Sequence, residues 1–306
     1  MARKNKQLVP LLTMAVAFML WGLNAPFIKI ALDSVPVLSL IAIKYCFGAL
    51  IFMAFALRRW RKMPSGVWLR VIVATISGYA LASFFFYEGI KLTGALNASL
   101  IYLAAPLLLY FLSVEVLKER FNTKLLTGVI AGLLGTFLII GAPIFSQGYA
   151  GSASLFGVAL ILAAVVTDVI GAIMIKPVLK KIPPLQTTAV RFAIAATIFA
   201  PFLILQSPQL MTVSITPELI IAVGYNLIFA TLIAFLLYHW ALSKISSEQS
   251  SPFYYLDPMF GAVGSMIILG EQITTFALTG IILIVIGLYF SEGRSPRLKL
   301  HLSHHR

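Results

Sequence analysis

Charge, and acid above all, is what this 306-residue chain has least of. Only 11% of its residues are charged, and 10 acids stand against 23 lysines and arginines. Soluble domains carry about 25% charged residues, so too few are present here to coat a water-exposed exterior. Cys46 is the only cysteine, which excludes an intramolecular disulfide. Of the 4 histidines, His301, His304 and His305 crowd the tail and read as a solvated basic end, leaving His239 alone inside the chain. A metal site or a membrane-embedded enzyme would need a richer cluster of ligating or titratable groups. A P-loop is also missing, so ATP does not drive the protein. No cofactor and no metal are expected.

What the chain has in abundance is hydrocarbon, with 60% of residues hydrophobic. Runs of roughly 20 apolar residues are long enough to cross a bilayer as helices. Ten such runs are legible: 8–31, 36–57, 69–90, 95–117, 123–143, 153–176, 184–205, 217–242, 248–269 and 275–291. They lack the in/out alternation of barrel strands, so the expected class is an all-α polytopic membrane protein. The first run is too long for a removed signal peptide and has no small-residue cleavage site.

The net charge of +13 is distributed by gap. Arg3, Lys4 and Lys6 precede the first run, and Arg58, Arg59, Arg61, Lys62 and Arg70 follow the second. Lys118, Arg120 and Lys124 follow the fourth, Lys176, Lys180 and Lys181 the sixth, and Lys244 the eighth; Arg294, Arg297, Lys299 and Arg306 lie in the tail. The alternate gaps carry only Lys29 and Lys91. This positive-inside bias puts both termini in the cytoplasm. It explains the basic excess without nucleic acid, for which no compact basic module exists. Short basic loops fit a bacterial inner membrane.

The two halves of the chain resemble each other. "FIKIALDSVPVLSLIAIKY" (27–45) lies over "MIKPVLKKIPPLQTTAVRF" (174–192), setting Lys29 on Lys176, Pro36 on Pro183 and Lys44 on Arg191. With Tyr102 set on Tyr254, Pro106 falls on Pro258 and Glu119 on Glu271; Gly135 falls on Gly287. Five spans per half is an odd number, so the halves, 1–147 and 148–295, are expected to be inverted repeats, with 296–306 as a basic tail. Inverted repeats give secondary transporters two nearly equal-energy conformations about a midplane site.

"LWGLNAPFIKIAL" in the first span, "AIKY" and "AVRF" in the equivalent second spans, and the Y…P…E pattern ending in "LKER" and "LGEQ" resemble the EamA family of the drug/metabolite transporter superfamily. The resemblance covers essentially the whole chain. It implies a secondary exporter of small metabolites, often amino acids or drug-like compounds, working by alternating access. It further implies a central cavity lined by the first four spans of each repeat, with the fifth as scaffold or dimer surface. Lys44 departs from the usual arginine and replaces a planar fork by a point charge. Gly128, Gly132, Gly135, Gly280 and Gly287 allow close helix approach, within the chain or in a homodimer.

Charged residues inside spans are candidate functional groups. Lys44 and Arg191 occupy matched positions and serve either an anionic substrate group or the scaffold. Glu119 and Glu271 end matched spans, which suits capping or gating. The unmatched residues say more: Trp21 gives way to Asp168 in the second half, and Ala105 to Asp257. A symmetric scaffold does without these carboxylates, so they are candidates for substrate or proton chemistry. A carboxyl group in lipid is cheaper neutral than charged. Ser247, Ser250, Tyr254, Asp257, Gly261 and Gly264 form a polar-to-small helical stripe expected to face protein or water. Pro258 frees the carbonyl of Tyr254, as a cavity-lining helix tolerates. In the first half the matching stripe includes Tyr102 with Asn97 nearby, and aromatics at 84–87 and at Tyr238 and Trp240 are candidate walls. A facilitative uptake carrier stays open beside the exporter; a channel would need a continuous polar lining.

Overall fold

The computed structural model describes residues 2–105, 155–242, Lys244 and 251–292, with isolated positions between 108 and 138. Pro106, Glu119, Ser247, Ser250, Gly128, Gly132, the tail and most of the expected fifth span lie outside the described residues. Among the described residues there is helix and no strand. Six helical stretches are long and apolar enough to cross a membrane: Leu8–Leu32, Val37–Leu57, Ser65–Thr93, Leu155–Leu179, Pro184–Leu205 and Pro217–Ala241, with Phe253–Leu269 shorter. The protein is an all-helical, multi-pass membrane protein.

Several of these spans are not single α-helices. The first divides into α1 (Ala2–Gly22) and α2 (Asn24–Leu32). Pro26 has no N–H and its ring crowds the carbonyl four residues back, that of Gly22, which accounts for the break. α3 (Val37–Leu57) is regular. The third span joins α4 (Trp68–Thr75) to α5 (Ala82–Thr93) through a π-helical stretch, Ile76–Leu81. α6 is Ala95–Tyr102, α7 is Leu155–Leu179 and α8 is Pro184–Leu205, with a short α9 (Ser207–Met211) behind it. α10 (Pro217–Gly224) and α11 (Ala234–Leu242) flank a second π-helical stretch, Tyr225–Ile233. A 3-10 turn at Ser251–Tyr255 leads into α12 (Leu256–Leu269), and α13 is Thr275–Glu292.

The local starts follow from sequence. Pro36 and Pro183 are both extended (ψ 140° and 137°) and open α3 and α8, since a fixed proline φ suits a helix entry. Thr216 caps α10 by accepting from the Leu219 N–H, with Pro217 at the first helical position. Pro258 sits in the first turn of α12 rather than mid-span. Its missing N–H is therefore one of the donors a helix start leaves unpaired anyway.

α3 lies along α8, α5 along α7, α6 along α12, and α1 against α11 and α12. Small residues permit the closest approaches. A Cβ on Gly22 would strike the Asp257 carbonyl, one on Gly48 the Phe192 ring, and one on Gly171 the backbone of Gly78. Near the α5–α6 corner, Gly94 adopts φ +84° and leaves room for the Glu271 carboxylate, which accepts from the N–H groups of Ala95 (3.2 Å) and Leu96 (2.6 Å). Glu271 thus caps α6 from the far half of the chain, where negative charge also suits the helix dipole. Lys29 stands 3.7 Å from Asp33 and donates to the Lys91 carbonyl, as a long stem near a span end allows.

Gly171→Val should lower the thermal unfolding midpoint in detergent, costing about 1–3 kcal/mol by overpacking. Gly224→Ala, whose new methyl meets nothing within 4 Å, should leave the midpoint unchanged or raise it.

Candidate functional site

The irregular helices surround a cavity of about 310 Å³, at the small end of the roughly 300–1,000 Å³ typical of small-molecule sites. Residues from α1, α2, α3, α5, α6, α7, α8, α11, α12, both π-helical stretches and the 3-10 turn line it.

One wall is aromatic. The Trp21 ring packs on Phe18 (5.2 Å between centroids), Phe235 (4.9 Å) and Tyr238 (5.1 Å). Its indole N–H donates to the Ala230 carbonyl at 2.9 Å, inside the second π-helical stretch, where the helix ladder is loosened. Tyr254 packs on Phe18 at 4.8 Å, and its hydroxyl lies 3.2 Å from that of Tyr238. Continuing from Phe235 through Phe192 (5.3 Å), the rings reach Tyr45 and Tyr79, where the Tyr45 hydroxyl donates to the Tyr79 carbonyl (2.9 Å) and pairs with Ser83 (2.6 Å).

The charged groups divide by role. The Arg191 guanidinium is buried, donates to the Ala74 carbonyl at 3.0 Å and lies 3.6 Å over the Tyr79 ring centroid. Ala74 just precedes the first π-helical stretch, so Arg191 answers a carbonyl at the edge of a loosened ladder. Its Nε has no hydrogen-bond partner and rests on that aromatic contact. Lys44, its match in the other half, makes a different set of contacts. Its ammonium lies 5.2 Å from the Tyr45 ring and 5.7 Å from the Tyr87 ring, and it faces the cavity.

Asp168 on α7 and Asp257 on α12 enter the same cavity, and Asp168 interacts with the Tyr102 hydroxyl. Lys44 and Arg191 act on Asp168 through space, and Asp168 acts on Asp257. Among the described residues no direct ion pair joins either cation to either carboxylate. Opposite charges are therefore held apart within one small cavity, where a low dielectric strengthens their pull on a bound charge.

A polar cluster supports this arrangement from behind. The buried Asn226 amide donates to Asn24 Oδ1 and to the Tyr87 hydroxyl, both at 3.2 Å, while its own Oδ1 has no partner. Asn24 and Tyr87 also touch the cavity, so the cluster ties the α1–α2 break and the second π-helical stretch to the ring over which Lys44 sits.

Of the residues singled out from sequence, Trp21, Lys44, Tyr102, Asp168, Tyr254, Asp257 and Pro258 meet at this cavity. The expected stripe on α12 does face protein: Gly261 approaches Ser99 and Gly264 approaches Leu23. Asn97 is turned away, its amide bonded to the Thr93 carbonyl one turn back at 2.8 Å. Arg191 stands behind Tyr79, and Glu271 is at the α6 cap. Phe86 and Tyr87, from the expected aromatic wall at 84–87, do reach the cavity, whereas Tyr45, Tyr79, Phe192, Phe235, Asn24 and Asn226 were not foreseen. The two asparagines, lone amides in apolar runs, carried a readable signal; aromatic residues among many others did not.

Apolar spans around a cavity that is charged and aromatic are the build of a membrane carrier for small molecules. The sequence profile of the EamA-like transporter family matches residues 8–141 and 155–292. The chain belongs to that family and is a membrane transporter. An uncharacterized transporter of Archaeoglobus fulgidus is 25% identical over 285 residues, covering 92% of this chain and 97% of its own. A "Probable amino-acid metabolite efflux pump" of Salmonella typhimurium is 27% identical over 286 residues, covering 89% and 90%. A solved crystal structure superimposes with a TM-score of 0.64 at 23% identity, over 92% of this chain and 96% of that one, and supports the fold.

Arg191→Gln should destabilise the protein by about 1–3 kcal/mol, because the Ala74 carbonyl loses a donor in a buried place. Lys44→Gln removes no hydrogen bond and should leave the unfolding midpoint near wild type. Side-by-side thermal unfolding of the two purified variants checks the contrast.

Proposed function

We propose that this transporter exports a small zwitterionic metabolite of amino-acid type by alternating access, coupled to protons. The observation that carries the reading is the separation of Lys44 from Asp168 and Asp257 within one cavity. A zwitterion answers both ends of that dipole: its carboxylate meets the ammonium of Lys44 and its ammonium meets the carboxylates. The aromatic walls take an apolar side chain. The name of the Salmonella relative agrees with this class of cargo.

In this reading the halves 1–147 and 148–295 are two inverted five-helix repeats, ten helices in all, that rock about the cavity. Glu271 holds the start of α6 in one state and releases it in the other; Glu119 is its match in the sequence. Either Asp257 or Asp168 takes up a proton when the substrate ammonium leaves, which removes an unpaired charge from the membrane interior during the empty return. The proton is delivered to the opposite face when substrate binds again. The positive-inside bias supports cytoplasmic termini, in a bacterial inner membrane. The exposed apolar side chains of α13, Phe276, Leu278, Ile282 and Ile286, are the surface on which a homodimer would pack.

Counterflow in proteoliposomes tests the reading with a panel of amino acids, amines and nucleosides, with and without an imposed pH gradient. Amino-acid exchange should exceed that of empty vesicles, and the gradient should accelerate it. Lys44→Gln should weaken apparent affinity by about tenfold or more, the loss expected for a charged contact. One of Asp257→Asn and Asp168→Asn, the one that removes the proton carrier, should keep exchange but lose the response to pH. Exchange indifferent to the gradient in the wild type would make the protein a facilitative carrier, and preference for amines lacking a carboxylate would remove Lys44 from recognition.

A further inference from the structure

The corner where the second and third spans meet the sixth and seventh is the most basic surface among the described residues. The connection "RRWRKMPSGVWLR" (58–70) holds five cations and no acid, and Arg58, Arg59, Arg61, Lys62 and Arg70 are all exposed. Trp60 (41% exposed) and Trp68 (39%) stand beside them. Arg58 is stacked over the outward-facing Phe55 ring at 5.9 Å. Cations beside indole rings at a span end are what a lipid headgroup layer selects.

Tertiary packing enlarges the patch. Met63, Val67 and Val71 are buried in one small core with Ile175, Val178, Ile182 and Val190. That core brings the 58–70 connection against the end of α7 and the start of α8, where Lys180 and Lys181 are exposed. A double hydrogen bond fixes the register. The Arg61 N–H donates to Gln186 Oε1 at 3.0 Å, and Gln186 Nε2 donates to the Arg61 carbonyl at 2.7 Å. Gln186 is itself buried. Seven cations from two distant stretches are thereby held on one corner, their side chains free of this backbone pinning. Self-repulsion among them opposes the arrangement unless an anion from outside offsets it. Orientation alone would need the charges on the correct side, not gathered and pinned.

We propose that this corner is a binding site for the phosphate headgroups of anionic phospholipids. The headgroup sits between the 58–62 cations and Lys180 and Lys181, and its acyl chains run down the face bearing Phe55 and Trp68. The site is independent of the substrate cavity. Because it clamps the connection between α3 and α4 to the α7–α8 turn, lipid occupancy joins two spans from each half at one membrane surface.

The full-length protein, reconstituted in phosphatidylcholine vesicles with a minor fraction of brominated lipid, gives a direct readout through quenching of Trp60 and Trp68. The same samples with Trp60→Phe and Trp68→Phe isolate the signal of the corner. Brominated phosphatidylglycerol should quench it with an apparent affinity at least about fivefold above brominated phosphatidylcholine, the factor one near-surface cation supplies. The combined Arg58→Gln, Arg59→Gln, Arg61→Gln and Lys62→Gln variant should reduce that preference to near unity. Lys180→Gln with Lys181→Gln should reduce it in part, and this milder variant serves if the fourfold one fails to insert. Replacement of the three arginines by lysine should preserve it, since headgroup attraction follows charge. Inorganic phosphate at millimolar concentration should not displace the lipid. Equal quenching by the two lipids, or a preference untouched by Lys180→Gln and Lys181→Gln, overturns the proposal; displacement by phosphate would make the site a soluble-anion site instead.

Discussion

A polar group inside a bilayer has no water to fall back on, so each donor and acceptor there must be answered by protein. This chain repeatedly loosens its helical ladders and then answers the loosened groups from another helix. Arg191 bonds the Ala74 carbonyl beside the first π-helical stretch, and Trp21 bonds the Ala230 carbonyl within the second. The Tyr225 hydroxyl donates to Leu20 near the α1–α2 break. The same irregularities bend the spans around the cavity. Space for a ligand and the cross-links that hold the bundle therefore come from one set of residues, and neither can be altered alone.

That constraint separates two cations that look equivalent. Arg191 has a fork suited to a carbonyl and a flat face suited to Tyr79, and it is held in place by both. Lys44 offers a mobile point charge over two tyrosine rings, without a fixed acceptor. A scaffold uses the first kind of group, whereas recognition needs the second, because a cation already bonded to the protein has little left for a ligand. Glu271 follows the scaffold pattern at the span ends. Its two bonds to α6 link the halves of the chain where Gly94 makes room.

The carboxylates extend the argument. Asp168 and Asp257 stand where the matching half has Trp21 and Ala105, so they break the likeness between halves at the cavity itself. Family membership accounts for the shared architecture and is indifferent to such breaks. The cargo-dependent features of an EamA-like transporter are expected where its halves differ, and here the differences converge on a single 310 Å³ space. The basic corner is a separate matter, built at a span end by burial of Gln186 and a local core.

Sequence alone determined the membrane setting and the boundaries of most of the described spans, including those that open beside Pro36 and Pro183, because hydrocarbon thickness and a fixed proline φ act locally. It also picked out Asp168 and Asp257, since a charge in an apolar run is costly wherever the run packs. It placed Pro258 in an irregular, cavity-lining span, and Pro258 lines the cavity just past the junction of a 3-10 turn with α12. It gave Asn97 to the cavity, whereas that amide satisfies its own turn at Thr93. Only tertiary structure decided that Lys44 faces the cavity while Arg191 anchors a carbonyl. Only tertiary structure brought Asn24 to Asn226, and Arg61 to Gln186. In lipid the apolar faces of a helix are nearly interchangeable, so hydropathy cannot say which one turns inward. That choice is made by the few polar groups that must find partners on other helices.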